Sequence, residues 1–130
     1  MRLFTPGEAN ALLAEVRPLA ERLVERKRAL DEAEAGRAAL LGRIAGNGGD
    51  LTPSDVADAV ARVDREAAAI GALVGELQEL GVQVKDLDLG LLDFPWERQG
   101  EVVLLCWRVG EDEVAYWHGV DEGYAGRKPL

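Results

Sequence analysis

A chain of 130 residues, 48% of them apolar and with a formal net charge of −9, carries enough apolar material for one folded domain and is not a disordered segment. Its acidity repels phosphate backbones and anionic lipid surfaces, which sets nucleic acid and membranes aside as partners. A single Cys excludes an internal disulfide, and no apolar run reaches the length of a signal peptide or of the about twenty residues that span a bilayer, so a cytoplasmic location is expected.

The first eighty residues read as two helices. Thr5-Pro6-Gly7-Glu8 is a helix start: Thr5 caps, Pro6 suits the first helical position and Glu8 completes a capping box. Thr52-Pro53-Ser54-Asp55 repeats that logic, and Gly46-Asn47-Gly48-Gly49-Asp50 between them is a turn. Two helices and a short polar turn make an antiparallel hairpin. Ala9, Leu12, Val16, Leu19, Leu23, Arg26, Leu30, Ala33, Arg37, Leu40 and Ile44 alternate steps of three and four, as do Val56, Val60, Val63, Ala67, Ile70, Val74 and Leu77. That spacing is a coiled-coil-like seam. Arg26 and Arg37 interrupt it; their stems pack while their heads reach water or the carboxylates Asp58, Asp64 and Glu66 opposite. Pro18 is expected to kink the first helix. Leu13, Ala20, Val24, Leu41, Ala59, Ala68 and Leu73 lie beside the seam, so a second copy in a four-helix arrangement, or else a β layer, must cover them.

Gly81 fits the position just past a helix end. Val82 to Leu92 then reads as one strand with a bulge at Lys85-Asp86, ended by Asp93-Phe94-Pro95. Trp96 to Gly100 is a polar loop. Glu101 to Val109 is apolar on both parities and therefore a central strand covered on both faces. Gly110-Glu111-Asp112 turns the chain into a third strand, Glu113 to Gly119, and a Gly-rich tail follows from Gly123 to Leu130. One cover of the sheet is the hairpin; the other is the tail or a second copy. The expected fold is α+β, a single domain over 1–130. A long antiparallel helical hairpin (1–80) carries a small C-terminal antiparallel sheet of three strands plus tail (81–130) packed at its base.

The polar side chains inside this apolar block are the candidate site. Asp86 and Asp88, two apart on a strand, project from one face, where paired carboxylates hold Mg²⁺ or Ca²⁺ or work as acid and base. Asp93 follows them, and His118, the sole His, suits a base or a metal or haem ligand. Asp86, Asp88 and His118 are the metal-ligand candidates. Arg127, with Gly123, Gly126 and Lys128, makes an anion-binding tail or a clamp onto Asp86 or Asp88; Lys85 and Arg108 are the other cations within reach of the aspartates. Cys106, in mid-strand, reads as buried and inert. Ser54, the sole Ser, sits in the stalk far from His118, which leaves no catalytic triad, and no phosphate-cradling Gly loop, dinucleotide fingerprint or zinc-finger spacing occurs.

Several runs act together as a signature: Val84-Lys85-Asp86-Leu87-Asp88-Leu89-Gly90-Leu91-Leu92-Asp93-Phe94-Pro95, Val103 to Arg108, Tyr116-Trp117-His118, Gly123 to Leu130, and Phe4-Thr5-Pro6 with Glu8-Ala9-Asn10. In them the chain resembles, over essentially its whole length, the small uncharacterised prokaryotic proteins known as domain of unknown function 2203. That resemblance implies the architecture as a unit and no activity. The sequence therefore leads to a non-enzymatic, self-associating interaction module of the cytosol, a homodimer with no assigned cofactor. Its alternative is a small-ligand, metal or haem protein whose site, at the end of the sheet, uses Asp86, Asp88, Asp93, His118 and Arg127.

Overall fold

Both expected helix starts carry reciprocal caps. Thr5 Oγ1 accepts the Glu8 N–H at 3.1 Å while Glu8 Oε1 accepts the Thr5 N–H at 3.0 Å. Thr52 and Asp55 do the same at 3.2 and 2.9 Å. In this computed structural model, which describes residues 1–46 and 51–130, α1 spans Pro6–Ala45 and α2 spans Pro53–Glu79. Of the turn expected at 46–50, all but Gly46 lies outside the described residues. α1 continues through Pro18, which is exposed. α2 ends as the sequence implies, on Gly81 at φ +89°, with the Val82 N–H returning to the Leu77 carbonyl. Among the described residues no helix is long and apolar enough to cross a membrane.

The sheet has five strands, all antiparallel and in chain order: β1 Gln83–Asp86, β2 Leu91–Arg98, β3 Glu101–Arg108, β4 Tyr116–His118 and β5 Lys128–Pro129. This corrects the expectation of three. The stretch read as one strand is two, because the Asp86 carboxylate accepts the N–H groups of Asp88 and Leu89 and folds residues 87–90 into a turn. The irregularity expected at Lys85-Asp86 is present, as a register shift between Val84 and Asp86. β2 runs on through Asp93-Phe94-Pro95 and the expected loop. The Pro95 carbonyl faces outward to the Phe4 N–H at 2.7 Å, so the N–H that proline lacks would also have pointed away from β3. Gln99 and Gly100, at φ +52° and +80°, close β2 onto β3 in two residues. The tail supplies the fifth strand.

β3 is covered on both faces. On the helix side Leu92, Phe94, Leu105 and Trp107 join Leu13, Val16, Ala20, Leu23, Ile70, Leu73 and Leu77 in one core at the base of the hairpin. Leu13, Ala20 and Leu73, beside the seam, are thus covered by the sheet, while Leu41 at the far end stays 52% exposed. The two helices pack side by side, and Arg26 bridges to Glu66 at 3.5 Å with its own side chain half in water. Asn10 fixes the loop between β3 and β4, accepting the Val114 N–H at 2.7 Å and donating to the Val114 carbonyl at 3.2 Å.

Gly90 sets the height of the sheet on the stalk. It sits at φ +62°, and a Cβ there would meet Val109 Cγ2 at 2.5 Å and Val24 Cγ2 at 2.9 Å. Gly90→Ala combines left-handed strain with a clash and is expected to cost about 1–3 kcal/mol. Urea unfolding measures it, and a loss under 0.5 kcal/mol would show that the turn rearranges freely.

Candidate functional site

The sheet register brings together residues far apart in sequence. Asp93 on β2 pairs with Cys106 on β3, which pairs with Tyr116 on β4; His118 lies two residues further along β4, opposite Leu104. All these side chains emerge on the face away from the helices. Asp93, Cys106 and His118 are 1%, 0% and 3% exposed, and one ligating atom of each lies within 4.8 Å of the others.

Hydrogen bonding fixes the histidine. Nδ1 is 2.8 Å from the Gly119 carbonyl, which only accepts, so Nδ1 carries the proton. In the neutral ring Nε2 is then a lone pair, and it faces both oxygens of Asp93 at 3.1 Å. A lone pair opposite an ionised carboxylate in a dry site requires something positive between them, either a shared proton or a cation. The third group, Cys106, is a thiol: burial, then the Asp93 charge, push it up to about 12, with Arg127 pulling the other way. As a free thiol it is inert at neutral pH, as the sequence indicates. Thiol reagents are expected to label Cys106 only as fast as the protein unfolds; rapid labelling under native conditions would refute this.

A cleft of about 240 Å³ reaches Asp93 and His118 of this cluster, and Lys85, Asp86, Leu91, Val120, Glu122 and Tyr124 also line it. The short helical turn Tyr124–Gly126 and the segment leading to it thus form part of the second cover of the sheet. Glu122 accepts the Gly119 N–H at 2.8 Å and pairs with Lys128 at 2.7 Å; Lys128 and the backbone bond hold its carboxyl below the usual range.

The five candidate residues separate. Asp93 and His118 meet in the buried pair. Asp86 reaches the rim of the cleft, but one of its oxygens caps the turn. Asp88 turns away from the sheet face to bind Lys27 of α1 at 2.9 Å, where Asp31 and Asp88 together raise the Lys27 ammonium above its ordinary range. Arg127 clamps neither Asp86 nor Asp88: it binds Glu111 at 2.7 and 2.8 Å and the Cys106 carbonyl at 3.3 Å, with its guanidinium over Tyr116 and Tyr124. Cys106 joins the triad without having been among the candidates. The signal for it is Gln99-Gly100: a two-residue turn there pairs position 93 with position 106.

A family model described as an uncharacterized conserved protein (DUF2203) matches residues 2–130. No curated protein and no solved structure matches the chain.

Proposed function

Starting from a chain that belongs to the uncharacterised family DUF2203, we propose that it is a divalent-metal-binding protein that holds its ion between Asp93, Cys106 and His118. The observation that carries this reading is the geometry: Nε2 and both Asp93 oxygens face one another at 3.1 Å beside the Cys106 sulfur, while Nδ1 lies 2.8 Å from a backbone carbonyl. Metal-binding histidines are oriented in that way. Their 3.1 Å separation is close to the roughly 3.3 Å between two ligands about 2.0 Å from a tetrahedral ion. Charge favours it too. A divalent ion with one carboxylate and one thiolate is neutral overall, which suits a dry site. Nitrogen, sulfur and oxygen donors together fit zinc, iron or cobalt better than magnesium or calcium. Three protein ligands leave a fourth position, and the cleft at about 240 Å³ is smaller than the roughly 300–1,000 Å³ of drug-sized sites, so it suits a water or small ligand rather than a haem.

The test is cobalt titration of the chelator-treated full chain. One equivalent is expected to bind with a sulfur-to-metal charge-transfer band that Cys106→Ser abolishes. A folded protein, by circular dichroism, that takes up no cobalt would end the metal reading.

A second reading, self-association as a cytosolic homodimer, is supported by the exposed apolar residues of the far hairpin: Leu41 at 52%, Ile44 at 48% and Val60 at 39%. Sedimentation at micromolar concentration tests it, and a monomer there would end it.

A further inference from the structure

The distal hairpin lacks a core of its own. Ala33 is the last buried residue of α1 and Val63 the first of α2; none lies in 34–45 or 53–62. About 18 Å of helix pair at 1.5 Å per residue is therefore held by half-buried contacts alone, although helices of this kind depend on packing for their stability. Between the helices there runs a groove of about 420 Å³ with a floor that includes Ala33, Leu40 and Ala59. Its rim carries Arg37, Arg43 and Arg62, with Asp55 as the acidic residue of the lining. Among the described residues their pairing is slight: Arg62 is 4.0 Å from Glu32, and Arg43 acts on Asp55 through space. This cationic groove with an apolar floor belongs to a chain of net charge −9, and the sheet lobe 81–130 holds ten Asp and Glu against five Lys and Arg, a net of −5.

We infer that a second copy of this chain covers the groove, and that the two hairpins lie antiparallel, the tip of each against the acidic sheet lobe of the other. The alternative, groove against groove at the two tips, would set six lining arginines against only two lining Asp55 carboxylates, which like-charge repulsion opposes. The antiparallel pairing is isologous and closed, covers both coreless tips, and sets three arginines beside an anionic surface twice. This inference rests on the self-association reading and adds its direction.

The experiment uses the full chain with a nitroxide label at Ala39→Cys, an exposed tip position, Cys106 being shielded. Antiparallel packing puts the two labels beyond about 40 Å, since α1 is about 60 Å long, whereas tip-to-tip packing brings them within about 25 Å. Pulsed dipolar spectroscopy is expected to give the long distance. Arg37→Glu with Arg62→Glu is expected to weaken dimerisation at least tenfold while the helical circular dichroism is kept. A short distance overturns the arrangement and leaves self-association standing. A monomer at micromolar concentration overturns both. An unchanged dimer in the double variant removes the groove from the interface.

Discussion

Trp107→Ala is expected to lower the unfolding free energy by about 3–5 kcal/mol. Trp107 is 0% exposed, on the helix face of β3 between Leu92 of β2 and the helices. Its Nε1–H donates to the Glu111 carbonyl at 3.0 Å, and Arg17, whose guanidinium lies 5.3 Å over the ring, binds the carbonyls of Glu111 and Asp112 at 2.9 and 2.7 Å. Truncation opens a cavity, removes one of the two hydrogen bonds on the Glu111 carbonyl and takes away the surface on which Arg17 rests. Domains of this size hold about 5–15 kcal/mol in all, so the variant is expected to be marginally folded at 37 °C. Denaturant unfolding followed by circular dichroism checks it. Trp107→Phe, which keeps most of the volume, is expected to lose less than half as much, and equal losses would show that the hydrogen bond rather than the packing dominates.

Asp93→Ala is expected to cost about 3–5 kcal/mol, because removing one member of a buried pair strands the other. His118 would then face a thiol and an empty space. His118→Ala is expected to cost a similar amount by stranding the Asp93 carboxylate. The double variant should cost less than the two added together, by at least about 1 kcal/mol, because each single change already breaks the same interaction. Additive losses in the double-mutant cycle would mean that the two side chains act independently despite their 3.1 Å separation.

Much of the fold is legible in the chain because local chemistry determines it. Thr5 with Glu8 and Thr52 with Asp55 write the helix starts, the parity of Val103, Leu105 and Trp107 writes a strand face, and Gly81 writes a helix end. The site is less legible because it depends on pairing register. Asp93, Cys106 and His118 are spaced by 13 and 12 residues, and nothing local says that they share a face until both intervening turns are known. The turn after β3 is marked by Gly110-Glu111-Asp112. The turn before it, Gln99-Gly100, was obscured by Pro95, which reads as a strand breaker until its outward-facing backbone is seen. Asp86 and Asp88 misled for a related reason. Alternation holds only along an extended chain, and an aspartate that caps its own turn ends the extension.

The anchoring of α1 has a consequence for how the chain is made. Phe4 bonds to Pro95, Asn10 to Val114, and Arg17 to Glu111 and Asp112, separations of 91 to 104 residues. During synthesis the first half of α1 emerges early with its apolar face complete and no surface to rest it on. The two helices can pair as soon as α2 is out, but their base must wait for β2, β3 and the loop that follows β3. Contacts that span nearly the whole chain close slowly. Until those segments have emerged the apolar base of the nascent hairpin is uncovered, and exposed apolar surface of that kind is open to aggregation or to chaperone capture.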